Sequence, residues 1–144
     1  MGVSNYPPGG PDNVARGEIG VAAVTADQPG ITTQVDITGL TLTRTLLTGR
    51  RYRTTIKTEV SSTNADGAFV VVIADGSNTQ LARATGPATT ASYSTSTFYE
   101  ENGNGTSVVR KCRASKSSGT GSITISASAS SPTYLTIDDI GPAV

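Results

Sequence analysis

Histidine and tryptophan are absent from this chain of 144 residues, cysteine and methionine occur once each, and phenylalanine twice. Without histidine no side chain titrates near neutrality at its ordinary pKa, so the usual general base of a hydrolytic site is missing. Only Ser-Lys pairs or carboxylate dyads remain as routes to acid-base chemistry. The lone Cys112 excludes an intrachain disulfide and a Cys-rich metal site. With so few large aromatics, β-branched aliphatic residues must fill any core, and the length is that of one domain.

Charge is equally sparse. Eleven Lys and Arg balance eleven Asp and Glu, leaving a formal net charge of zero. Such a balance argues against an overall footprint for nucleic acid or an anionic membrane, and it favours association with protein surfaces, including copies of the same chain. No apolar run is long enough to cross a bilayer, and Met1 to Pro8 has neither the basic start nor the apolar stretch of a secretory signal. The expectation is a soluble product made in the cytoplasm. An acylation motif would want Ser or Thr where Tyr6 stands.

What is present is Thr, Ser, Val and Ile in short alternating runs separated by Gly-containing turns. Residues 1–17 stand apart: Tyr6, Pro7, Pro8, Pro11 and Asn13 lie in a Pro/Gly stretch that cannot join a ladder, and they predict an extended docking arm. Residues 18–144 read as one β domain. Ile19 to Val24 alternates before an Asp27-Gln28-Pro29-Gly30 turn; Gln34 to Thr38 and Leu40 to Leu46 form two strands parted by Gly39. In Arg51 to Ser62, Tyr52, Thr54, Ile56, Thr58 and Val60 share one face, while Arg51, Arg53, Thr55, Lys57 and Glu59 share a wet one.

Asn64-Ala65-Asp66-Gly67 is a hairpin signal leading into Ala68 to Ile73, a central strand buried on both faces. Asp75 to Asn78 turns into Thr79 to Ala84, a Gly86-Pro87 break follows, and Ala91 to Glu100, Thr106 to Ser115, Ser122 to Ala129 and Thr133 to Ile140 complete the set. No helical period extends over ten residues. The fold class expected is all-β: an antiparallel sandwich, jelly-roll-like, behind an extended arm.

Candidate chemistry is thin. Ser115 and Lys116 are adjacent, but neighbours on a strand point to opposite faces. Gly119-Thr120-Gly121-Ser122 lacks the Lys and the helix of a phosphate loop and reads as a hairpin turn. Asp66, Asp75, Glu100, Glu101, Asp138 and Asp139 are not spaced as a calcium loop, and Asp and Asn in turns serve chiefly to cap backbone amides. One of Asp138 and Asp139 must face inward, where it needs a partner such as Arg. Arg50-Arg51-Tyr52-Arg53 is the densest basic run and reads as a solvated or salt-bridged strand face. Cys112 shares a face with Val108 and Ala114, away from Lys111 and Arg113, and should be buried and inert. Asn104-Gly105-Thr106 is a glycosylation sequon with no secretory route to use it. No catalytic residue, cofactor or metal is expected.

Thr25 to Thr33, Asp36 to Thr43, Gly49-Arg50-Arg51-Tyr52-Arg53, Asp75 to Leu81 and the ending Ser131 to Pro142 resemble a β-sandwich module found among virion proteins of tailed phages infecting actinobacteria. The resemblance runs from about Gly17 to Pro142, and its motifs are turn and strand signatures. It implies a structural virion protein, either a free-standing decoration protein on the capsid exterior or a minor tail, baseplate or tail-tip module. A Pro/Gly arm followed at once by the module fits the free-standing form. The resemblance further implies a homo-oligomer, with a trimer matching threefold shell positions, and the major capsid protein as partner, or other tail proteins in the alternative. No nucleic acid or membrane partner is expected. A receptor-binding or glycan-binding tip would instead need an exposed aromatic site, for which Tyr93, Phe98 and Tyr99 are the candidates, in and beside a Phe98 to Asn104 loop that carries no family signature.

Overall fold

The computed structural model describes residues 16–143. The docking-arm residues Tyr6, Pro7, Pro8, Pro11 and Asn13 lie outside that range. Ten strands follow one another: β1 (Gly17–Val24), β2 (Gln28–Ile31), β3 (Val35–Thr45), β4 (Arg50–Ser62), β5 (Ala68–Asp75), β6 (Gln80–Pro87), β7 (Tyr93–Asn102), β8 (Ser107–Ser118), β9 (Ile123–Ser126) and β10 (Thr133–Pro142).

All pairings are antiparallel and fall into two sheets. One runs β1-β10-β4-β7, with the short β9 and β2 continuing it beside the far end of β4; the other runs β3-β8-β5-β6. Setting β2 and β9 aside, this is the strand order of a jelly roll, in which nearly every connection crosses between the layers. Among the described residues, only β5 and β6 are consecutive strands paired with each other.

Alternation along β4 builds the core. Tyr52, Thr54, Ile56, Thr58 and Val60 point inward to meet Phe69, Val71 and Ile73 of β5, Cys112 and Ala114 of β8, and Leu135 and Ile137 of β10. Burying each large side chain contributes about 1.5–3 kcal/mol relative to leaving it in water. The inward threonines need partners. Thr58 Oγ1 and Thr133 Oγ1 share a hydrogen bond of 3.0 Å, whereas Thr54 Oγ1 is buried without a protein partner. The two layers are joined at their corners. Arg44 of β3 donates from Nε to the Ile19 carbonyl of β1 at 2.8 Å, and it lies across Gly20, where a Cβ would sit 2.7 Å from the same nitrogen. At the other corner the Phe69 and Tyr93 rings meet edge to face at 5.7 Å over Gly86, whose Cβ would sit 2.5 Å from Phe69 Cζ.

Several sequence expectations are corrected. Asp27 to Gly30 is not simply a turn, because Gln28–Ile31 forms β2 against β9. The two strands on either side of Gly39 are one strand, β3, with an irregular register between Asp36 and Thr41 that Gly39 permits at φ +85°. Gly86-Pro87 ends β6 rather than separating it from the next strand. The Asn64 to Gly67 and Gly119 to Gly121 segments are not hairpins: each carries the chain from one sheet to the other. Turn residues report a sharp reversal and a positive φ, which says nothing about the sheet the next strand joins. Tyr134 is exposed, because Leu135, Ile137 and Asp139 take the inward positions of β10 and a period of two turns Tyr134 outward. β10 lies between β1 and β4, in the sheet opposite the one that holds Val70-Val71-Val72.

Candidate functional site

The chemistry-bearing side chains collect at the sheet ends and on the outer faces, where the strand register decides what each one meets. Arg50 opens β4 and Asp139 lies near the end of β10, and both are buried. Arg50 Nε and Nη2 donate to Asp139 Oδ2 and Oδ1 at 2.9 and 2.5 Å. The register of β10 on β4 slips between Asp139 and Gly141, and this irregularity lets the Gly141 amide donate to Asp139 Oδ1 at 3.1 Å. Burial opposes the charge on Asp139, but the Arg50 guanidinium and the Gly141 amide prevail and hold its pKa below the usual carboxylate range. Beside this pair the Leu47 amide donates to the buried Tyr52 hydroxyl at 3.0 Å, and the Gly103 amide donates to the Arg50 carbonyl at 2.7 Å.

Further ion pairs among the described residues join strands to one another. Arg51 and Arg53 both grip Glu100 across the β4–β7 pair, and the Arg53 bonds, with the Arg51 charge beside them, keep that carboxyl lowered. Arg110 forks onto Glu101 at 3.0 and 2.5 Å and lies 5.9 Å from the Tyr99 ring centre. Lys111 and Arg113 of β8 each reach Asp36 of β3 at 2.7 Å, and those bonds, Lys111 first, outweigh desolvation and lower the Asp36 pKa. The three arginines of the Arg50 to Arg53 run are thus each paired with an acid of the same chain, Arg50 with Asp139 and both Arg51 and Arg53 with Glu100.

The Ser-Lys geometry differs from the one adjacency suggests. Lys116 turns inward and sets Nζ 3.2 Å from Ser62 Oγ, with further bonds to the Asp66 carbonyl at 3.0 Å and Oδ1 at 3.2 Å. These bonds tie β8 to the end of β4 and to the β4–β5 connection. The Gly119-Thr120-Gly121 segment does bind an anion, but the anion is the chain's own: the Thr120 amide and hydroxyl donate to Asp66 Oδ2 at 2.9 and 2.8 Å. Those bonds, the amide first, lower the Asp66 pKa.

Asp75 Oδ1 caps the Ser77 and Thr79 amides at 2.8 Å each, and Asn104 Oδ1 accepts from the Thr106 amide and hydroxyl. The turn carboxylates therefore cap backbone, as their residue types imply. Among the described residues no group of three or more His, Cys, Asp or Glu side chains is placed to hold a metal ion. Cys112 is fully buried, and desolvation pushes its thiol up to about 12.

Tyr93, Phe98 and Tyr99 do not form a loop site. All three lie on β7, which runs on to Asn102, so only Gly103 and Asn104 of the expected loop are free of strand. Tyr93 leans on Phe69, Tyr99 packs against the core, and Phe98 points to the outer face, 57 % exposed, with the Arg53 guanidinium 4.9 Å from its ring centre. The alternation of the strand turns Phe98 away from Tyr93 and Tyr99, which share the other face. The residue missed by the sequence reading is Asp36, the shared acceptor of β8. Its signal was the Lys111 and Arg113 pair, two cations on one strand face that require an acid across the ladder.

No family model matches the chain, and no curated protein matches it. Solved structures similar to it include a chain of the disulfide-linked pili of Bacillus endospore appendages, at 13 % identity over 97 % of this chain and 98 % of that one, with a TM-score of 0.42. A CBM4 structure matches at 18 % identity over 90 % and 78 %, with a TM-score of 0.40. The VP2 protein of infectious bursal disease virus, in a D431N mutant forming T=1 particles, matches at 11 % identity over 99 % of this chain and 42 % of that one, with a TM-score of 0.41. No residue role is carried over from any of them.

Proposed function

We propose that this protein is a non-catalytic structural component of a tailed-phage virion that decorates the outside of the capsid and stabilises it by bridging capsomers. The observation that carries the reading is the Arg50 to Asp139 pair. Two of the segments through which the chain resembles phage virion modules, Gly49 to Arg53 and Ser131 to Pro142, meet in it, so the signature residues serve to lock a scaffold. The other charged clusters serve the same end: each described above ties strands or connections together. A rigid jelly roll with Thr- and Ser-rich outer faces suits repeated, individually weak contacts that a shell multiplies, and folds of this type build capsid and lectin domains, an analogy at the level of fold.

Adding the purified protein to phage particles that lack it tests the proposal. The protein should co-sediment with the heads at a fixed ratio to the capsid subunit and raise the temperature at which they release DNA. A protein that sediments with isolated tails and not with heads would favour the second reading, a minor tail or tail-tip subunit. For that reading the specific observation is Phe98, an exposed ring on a polar sheet face with Arg53 beside it.

A further inference from the structure

The free edge of β7 differs from the other edges of the sandwich. An edge strand presents unpaired N–H and C=O groups, and proteins protect such edges with bulges, prolines and charges. Here β1 carries Glu18 and a register slip between Glu18 and Gly20. Its continuation β2 has Pro29 and an irregular register between Gln28 and Ile31. β3 slips between Asp36 and Thr41 and bears Asp36 and Arg44, and β6 slips opposite Ile73 and Ala74, bears Arg83 and ends on Pro87. β7 has no register slip and no proline, and its charges, Glu100 and Glu101, sit only at its end. Among the described residues its only ladder is with β4, unbroken from Tyr93 to Asn102, and from Tyr93 to Tyr99 it contains no charge, proline or glycine.

The same seven residues, Tyr-Ser-Thr-Ser-Thr-Phe-Tyr, are nearly symmetric about Ser96. We propose that β7 is the self-association edge of this protein, pairing antiparallel with β7 of a second copy about a two-fold axis at Ser96, so that the two β1-β10-β4-β7 sheets become one continuous sheet. In that register Tyr93 lies opposite Tyr99 of the other copy, Thr95 opposite Thr97, Ser94 opposite Phe98, and Ser96 opposite itself. Paired aromatics and paired threonines are favourable cross-strand neighbours. Glu100 falls opposite Ser92 and Glu101 opposite Ala91, so the acidic end of each strand meets uncharged residues and no like charges collide. A two-fold contact of this kind uses the same patch on both copies and closes on itself. The pairing holds whether or not the protein resides on a capsid, and it makes the basic unit a dimer where the resemblance implies a trimer.

Light scattering on a dilution series of the full chain, with two substitutions at the exposed Ser96, tests this. The native protein should show the mass of two chains, and Ser96→Lys and Ser96→Glu should each show the mass of one, because the axis sets like charges face to face. Mixing the two variants should restore the two-chain mass. Ser117→Lys, the same charge on an exposed position of β8, should leave the dimer intact. The proposal is overturned by a native protein of one-chain mass throughout, by a dimer or trimer that survives Ser96→Lys, or by variants that stay single when mixed.

Discussion

Arg50 and Asp139 are 89 residues apart in the chain and meet as a buried, two-bond ion pair that joins the start of β4 to the end of β10. Two charges withdrawn from water are stabilised there because each satisfies the other and Gly141 donates a further bond to Asp139.

Asp139→Asn should therefore destabilise the fold by about 3–5 kcal/mol, the range for stranding one member of a buried pair. Replacing both residues, Arg50→Met with Asp139→Leu, should recover much of that loss because no charge is left behind. Urea denaturation of the three proteins measures both effects, and a single variant as stable as the parent would show that the pair contributes nothing.

The depressed carboxylates set a sign for the pH dependence. A folded pKa below the unfolded value of roughly 3.9 for Asp means that the stabilising contribution is complete above that value and is lost as pH falls through the folded pKa. Asp139, Asp36 and Asp66 all shift downward. The urea midpoint should stay level from pH 8 to about 5 and drop below about 4. The drop should be shallower in Asp139→Asn, and a parent midpoint unchanged down to pH 3 would contradict these ion pairs.

Cys112, with its thiol pushed up to about 12, carries almost no thiolate at neutral pH and has no exposed surface. An alkylating reagent at pH 8 should leave the native protein unlabelled for hours and modify it stoichiometrically in urea. Rapid labelling without denaturant would mean that β8 opens locally.

Gly67 combines φ +73° with a wall of backbone: a Cβ there would lie 2.1 Å from the Ser118 carbonyl oxygen. Gly67→Ala has neither the conformation nor the space, and it should lower the thermal midpoint by ten degrees or so or prevent folding. Gly30→Ala, with a similar φ but open space around the position, separates strain from collision and should cost only about 1 kcal/mol.

The inner face of β4, the buried thiol and the need for one inward carboxylate at the chain end were legible from alternation alone, since a period of two fixes which side chains share a face. The partner of that carboxylate was not, because Arg50 was read within a basic run and the β4–β10 pairing is a contact between distant segments. Sheet membership was hidden for a related reason. Asp66-Gly67 and Gly119-Thr120-Gly121 have the composition of hairpin turns, yet in a jelly roll such turns carry the chain across the layers. The candidate aromatic site failed on the same rule that succeeded for β4: Phe98 and Tyr99, adjacent on β7, point to opposite faces.

The central claim is a place on the capsid exterior, and a cryo-electron reconstruction of intact particles with and without this protein tests it most directly. The account predicts difference density of jelly-roll size on the outer surface of the head, at repeated positions over contacts between capsid subunits. Difference density confined to the tail or its tip, with an unchanged head surface, would contradict it.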